Sequence, residues 1–272
     1  MKKQKTKEEI IQHKKASIRK LNNLLENYLA SNDYTLLKKT DLISYWLETF
    51  SDYIGSETTF DSNKLIRYNR GNVIRVNLGF NIGKELGGLH YAVVLDNDNK
   101  RNADVITVVP LSSTEGRNVH PRSVDLGTEI YEKVSVVQSK MIEEAEKELT
   151  EFTDSYNFIT STLEALKKAT KEHFHSDSLT DLSEKLDIAI QHQMTLQEKE
   201  KHIEQRIEIL KRNDYEIQKM KLGSMAVCNQ ITTISKQRIY VPKRSCDFLY
   251  GISLSTPAME KINSKIKELY IF

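Results

Sequence analysis

The sequence predicts an α+β fold: a small β-barrel with an N-terminal helical segment, an inserted antiparallel helical hairpin and a C-terminal helix. Three observations predict it. Short stretches rich in β-branched residues run from Val73 to Val109 and return at Met225 to Ile231. Between them, apolar residues recur in alternating steps of three and four from Ile142 to Ile217. Before and after the strands, apolar residues keep helical spacing.

Residues 7–55 read as helical, because Ile10, Ile11, Ile18, Leu21, Leu24, Leu25 and Tyr28 recur at helical spacing. A break follows Ala30, and Thr35 to Phe50 forms a second amphipathic run. This segment is either a helical layer packed on the next domain or a partner-binding arm. At Arg70 the pattern becomes extended, with strands through Val73, Ile74, Val76 and Leu78, then Tyr91 to Leu95, then Val105 to Val109, separated by polar turns such as DNDNKRN. Short strands at this spacing suit a small barrel. The stretch from Arg117 to Leu126 adds a loop containing Pro121 and a further strand through Val124 and Leu126. Tyr131 to Val137 fits a strand or a helix entry equally.

The next block leaves the barrel. Ile142, Ala145, Leu149, Phe152, Tyr156, Ile159, Leu163 and Leu166 form one apolar seam, and Leu182, Leu186, Ala189, Leu196, Ile203, Ile207, Leu210 and Ile217 form a second. A polar reversal at His175 to Asp181 separates them, so the block reads as an antiparallel hairpin with arms of about 45 to 50 Å. Its surface is either purely structural or a contact for a partner macromolecule or a second copy. After Gly223 the strand pattern returns, and Thr256 to Tyr270 closes the chain as a helix, with Thr256 as N-cap and Pro257 at the first helical position. The expected organisation is thus 1–60 helical, 61–138 first part of the barrel, 139–222 hairpin, and 223–272 last part of the barrel and C-terminal helix.

Composition bounds the function. Lys and Arg number 40 against 38 Asp and Glu, so bulk charge does not announce a nucleic-acid binder. The distribution is more telling: 139–215 holds 11 basic against 17 acidic residues, leaving 29 against 21 elsewhere. The barrel and N-terminal region are basic and the hairpin is acidic. Two cysteines, Cys228 and Cys246, make neither a disulfide framework nor a metal cluster, which implies a reducing cytoplasm. No apolar run reaches the length of a membrane span, and the basic N-terminus lacks the apolar stretch of a secretion signal. There is no phosphate-cradling P-loop, and His173 and His175 fall two apart in a predicted helix, on different faces.

Cleavage of RNA without a metal needs a base for the ribose 2′-hydroxyl, donors for the crowded phosphorane and an acid for the departing 5′-oxygen. His90 follows the glycine-rich GKELGG, and Ser112, Ser113 and Thr114 follow the strand VITVVP. His120, before Pro121, reads as a loop residue. Lys236, Arg238, Lys243 and Arg244, with Tyr240 between, read either as a phosphate- and base-binding run or as a solvated basic edge.

Five segments in order carry a resemblance: Gly71-Asn72; the loop from Gly83 to Tyr91, with Glu85 and His90; AVVLDND after it; Pro110-Leu111-Ser112-Ser113; and Asn229-Gln230-Ile231 through Arg238-Ile239. Over 70–126 and 223–240 the chain resembles the MazF/PemK (Kid-like) family of endoribonuclease toxins. The resemblance implies an SH3-like barrel, metal-independent and sequence-selective cleavage of single-stranded RNA, and a 2′,3′-cyclic phosphate with a 5′-hydroxyl as products. It implies no cofactor, an antitoxin partner and a homodimer formed through the barrel. The family's catalytic Arg is His90 here, its Thr is Ser112, and its Asp and Arg of the last motif are Asn229 and Thr232. Histidine titrates near neutral pH and is a weaker fixed cation than arginine. His90 is therefore expected to transfer protons and Ser112 to donate to the phosphate, with Arg75 and Lys84 supplying charge. Glu85, Ser113, Asn229 and Gln230 are expected to orient or read the RNA. The alternative is a catalytically inactive RNA- or protein-binding module whose hairpin is the working surface.

Overall fold

The computed structural model describes residues 5–114, 118–172 and 178–271. Helix α1 spans Lys7–Ala30 and α2 spans Tyr34–Ser56. Thr6 and Glu9 cap α1 reciprocally, at 3.2 and 2.8 Å, and the Asp33 carboxylate accepts from the Thr35 amide to start α2.

The sheet comprises β1 Val73–Asn77, β2 Leu89–Val94, β3 Val105–Ser113, β4 Val124–Gly127, β5 Ser224–Ala226, β6 Thr232–Ser235 and β7 Ile239–Val241. All pairings are antiparallel: β1 with β2 and β7, β2 with β3, β3 also with β5 and β6, and β4 with β5. Between β6 and β7 the chain makes a 3₁₀ turn at Lys236–Arg238, so the ring β1-β2-β3-β6-β7-β1 is completed by the chain itself rather than by a ladder. This is a partly open barrel on an α+β plan, the fold class the sequence predicts. Strand β3 runs through Pro110, which the sequence reading took as its end. Proline is tolerated there because β3 changes partners at that point, from β6 below Pro110 to β5 above it. The expected strand from Met225 to Ile231 is instead β5, a 3₁₀ turn at Cys228–Gln230, and β6 beyond it.

Alternate residues of each strand serve two cores. Ile74, Val76, Ala92, Val94, Ile106, Val108, Ile234 and Ile239 fill the barrel interior. Val73, Val93, Val109 and Leu111 face outward and are covered by helices. Those helices are α3, Glu129–Glu172, through Ile130 and Val134, and α5, Thr256–Tyr270, through Ala258 and Ile262. Tyr131 to Val137 is thus helix, and 129–138 belong to the barrel's outer core. The N-cap of α5 is Ser255, whose hydroxyl accepts from the Ala258 amide, one residue before the expected Thr256.

Helix α4, Ser178–Gln218, runs antiparallel to α3: Glu144 pairs with Arg206, His202 Nδ1 lies 3.9 Å from Glu148, and Gln138 Nε2 donates to the Leu210 carbonyl. With 44 residues, α3 is about 65 Å long. His173, His175 and the rest of 173–177 lie outside the described residues, as do Arg117 and the side chains of Leu166, Leu182, Leu186 and Ala189, while 178–181 of the expected reversal are already the first turn of α4.

Candidate active site

Strand β2 carries His90 and strand β3 carries Ser112. Their ladder pairs Val94 with Val108, Val93 with Val109 and Ala92 with Pro110, and His90 and Ser112 each lie two residues beyond that last pair, at the same end of the two strands. His90 Nδ1 lies 2.9 Å from the Leu111 carbonyl oxygen. A carbonyl has no proton to give, so Nδ1 carries the hydrogen and the lone pair of the neutral ring sits on Nε2. The backbone thereby fixes the tautomer in which the outer ring nitrogen is basic.

The end of β3 is held by the chain returning from the hairpin. Ser112 pairs with Met225, Ser113 with Ser224, and the Thr114 amide donates to the Gly223 carbonyl at 3.1 Å. A side chain at Gly223 would collide with the Thr114 hydroxyl as it stands and would force that side chain to turn away. Ser112 and Ser113 are half-buried at this edge.

Beside this strand end, the β1–β2 loop is clamped by Gln230. Its Oε1 accepts from the Leu86 amide at 2.6 Å and its Nε2 donates to the Lys84 carbonyl at 3.2 Å. Within the loop, Asn81 Nδ2 donates to the Leu86 carbonyl and the Glu85 carboxylate accepts from the Ile82 amide. Gln230 therefore builds the loop, with both ends of its amide engaged. Glu85, Asn229, Gln230, Thr232 and Arg238 line a cavity of about 380 Å³ that also reaches Pro110, next to the carbonyl that holds His90.

Arg238 is the residue the sequence reading left among several. It occupies the Arg of the Arg-Ile pair ending the last motif, and its 3₁₀ turn swings it into the cavity while its neighbours point elsewhere. Its Nε donates to the Asn77 carbonyl at 2.8 Å and its guanidinium lies 5.5 Å from the Trp46 ring of α2. Burial lowers its pKa, which the nearby Tyr53 opposes.

Arg75 is not brought to His90. Val76 is the cross-strand partner of His90, so Arg75 and its partner Tyr91 point to the opposite face of the sheet. There Arg75 is ion-paired with Glu216 at the end of α4 and lies between Tyr91 and Tyr240, 5.7 and 5.4 Å from their ring centres. Lys84 is exposed in the loop, held by its backbone. Lys236 is buried, its ammonium donating to the carbonyls of Lys100 at 2.9 Å and Arg101 at 3.3 Å; burial lowers its pKa against the pull of Asp104 and Asp96. The amides of Lys243 and Arg244 donate to Asp247. Within the run 236–244, Lys236 is buried, Arg238 lines this cavity, and Tyr240, Lys243 and Arg244 are exposed. His120 accepts from the Arg122 amide, as a loop residue.

Residues 69–169 match the family model described as the PemK-like, MazF-like toxin of type II toxin-antitoxin systems. The chain carries a PemK/MazF-like toxin domain. The match takes in β1 to β4 and most of α3. Strands β5 to β7 and Arg238 lie beyond it in sequence, yet β5 and β6 pair with β3, so the toxin domain is completed in space by residues from after the hairpin. The chain shows no match to a curated protein. Among the described residues no three His, Cys, Asp or Glu side chains gather as a metal site, and no helix is long and apolar enough to cross a membrane.

Proposed function

We propose that this toxin domain is a sequence-selective endoribonuclease acting on single-stranded RNA within a toxin-antitoxin pair. The observation that carries the reading is the Leu111 carbonyl holding His90 as the Nδ1–H tautomer. In the proposed step, His90 Nε2 takes the proton of a ribose 2′-hydroxyl as that oxygen bonds to the adjacent phosphorus. The bond from phosphorus to the 5′-oxygen then breaks, and the departing oxygen takes a proton from solvent water, leaving a 2′,3′-cyclic phosphate and a 5′-hydroxyl. The Ser112 hydroxyl donates to a phosphate oxygen, and Arg238 with Lys84 supplies positive charge. Glu85, Ser113 and Asn229 face or flank the RNA, over a loop that Gln230 holds in shape. The reaction requires no metal or cofactor.

A second reading, an inactive RNA- or protein-binding module, draws on one observation: Arg75, expected to supply charge to the site, is paired with Glu216 instead. Incubating purified, antitoxin-free protein with a long single-stranded RNA in EDTA separates the two. Discrete cuts that disappear with His90→Ala support the enzyme; intact RNA with folded wild-type protein supports the module.

A further inference from the structure

A groove of about 630 Å³ runs between α2 and the β1–β2 loop. Its α2 wall is a single helical face that includes Lys38, Lys39, Leu42, Tyr45 and Trp46. Two glycines set how closely the helix sits on the loop. A Cβ on Gly79, whose φ is +80°, would stand 2.7 Å from the Trp46 ring, and one on Gly87 would stand 2.7 Å from the Gly79 carbonyl oxygen. The end of α2 is tied down as well, because the Gln237 amide donates to the Tyr53 carbonyl at 2.9 Å and to the Ser56 hydroxyl at 2.8 Å. The groove is thus built by close packing, and one of its walls is a helix that precedes the residues matched to the toxin family.

Its surface suits a base of single-stranded RNA. Tyr45 is 64% exposed, with Leu42 and Leu89 also exposed in the same groove. A ring face beside apolar walls takes any base by stacking, and ammonium groups take the phosphate that follows it. Lys38 and Lys39 supply those charges; the one acid that lines the groove, Glu85, has its carboxylate engaged by the Ile82 amide. The chain leading into this wall has the same sign, since residues 1–40 hold 10 Lys and Arg against 4 Asp and Glu. The groove also continues the candidate active site. Asn81 and Glu85 line both cavities, and Arg238, which lines the second, has its guanidinium 5.5 Å from Trp46, which lines the first. A strand held at the first site therefore has a place for a flanking nucleotide across the loop.

We propose that α2 and the β1–β2 loop form a nucleotide subsite that receives a flanking base of the RNA substrate on Tyr45, with Lys38 and Lys39 at its phosphate. The subsite rests on the reading that single-stranded RNA is the substrate, and adds to it a recognition element from outside the matched toxin domain. Trp46 is the single tryptophan of the chain and lines the groove, so its emission reports an occupant directly. The probe is a mixed-sequence single strand of about 20 nucleotides with 2′-fluoro sugars, which lacks the attacking hydroxyl and stays whole whether or not the protein cleaves RNA. Binding, followed by the anisotropy of an end label, should be accompanied by quenching of Trp46 emission when the unlabelled strand is used. Tyr45→Ala should weaken binding by about 5- to 100-fold. Lys38→Ala should lower the slope of log affinity against log salt by about 0.7. Tyr156→Ala, at a similarly exposed tyrosine on the hairpin, should change neither. RNA that binds without altering Trp46 emission, and as tightly to Tyr45→Ala and Lys38→Ala as to the wild type, would overturn this proposal alone and leave the groove to a protein partner. Absence of any RNA binding would overturn it together with the substrate reading.

Discussion

His90 Nδ1 donates to the Leu111 carbonyl across 2.9 Å, from one strand of the barrel to the next. The bond ties the orientation of the ring to the β2–β3 register, and it separates the structural use of the histidine from its chemical one. Asparagine places an amide donor close to the Nδ1 position but offers nothing at Nε2. The His90→Asn variant is therefore expected to fold as the wild type does, with an unchanged thermal midpoint, and to lose about 10²- to 10⁴-fold in the rate of RNA cleavage. Retained cleavage would remove His90 from the reaction.

The pair Arg75–Glu216 anchors the end of α4 to the outer face of β1, between two tyrosine rings. Both side chains are mostly shielded, so removing either leaves a charge in a poorly solvated place. Arg75→Ala and Glu216→Ala are each expected to lower stability to urea, and the double variant to cost less than the two together, with a coupling of about 1–3 kcal/mol. Cleavage should survive in all three, because the pair faces away from His90. A loss of cleavage in folded Arg75→Ala protein would restore that arginine to the site.

Glu129 joins the first turn of α3 to the start of α5. Burial alone would raise its pKa, but hydrogen bonds from Lys133 and from the Ser255 amide and hydroxyl outweigh it, and the carboxyl sits below the usual glutamate range. A carboxylate held low contributes stability above its ordinary pKa and loses it as pH falls through the depressed one. Glu129→Gln should therefore destabilise the fold by about 1–2 kcal/mol at pH 7. In urea titrations the gap between variant and wild type should close toward pH 3; a gap constant with pH would show that the charge is not what matters.

The two cysteines should behave differently. Cys228 is fully buried, and burial pushes its thiol up to about 11 against the opposing pull of Lys265, whereas Cys246 is partly accessible. At pH 8, Ellman's reagent should titrate one thiol per folded chain, at Cys246, and the second only after denaturation. Two rapidly reacting thiols would mean that the outer core opens readily.

Much of the fold was legible because the strands 73–77 and 105–109 are dense in β-branched residues, and because the hairpin keeps its heptads over many turns. Three features were not. The start of α3 reads ambiguously, since Ile130, Val134, Val136 and Val137 are β-branched and suit a strand as well as a helix. The strand β6, Thr-Thr-Ile-Ser, sends only Ile234 inward, so it gives almost no apolar signal. The face of Arg75 depends on the pairing of Val76 with His90, a register that no spacing within β1 encodes. For the same reason Arg238 stood out only once its 3₁₀ turn was seen to aim it into the cavity shared by Glu85 and Asn229.

The central claim is that the 2′-hydroxyl attacks its own phosphate under the action of His90. Once a cut site has been mapped in a long RNA, an oligonucleotide spanning it can be made with a single 2′-deoxy sugar on the 5′ side of the scissile bond. The account predicts that the all-ribose strand is cut in EDTA to a cyclic phosphate and a 5′-hydroxyl, and that the substituted strand binds but stays whole. Cleavage of the deoxy-substituted strand at the same bond would contradict it.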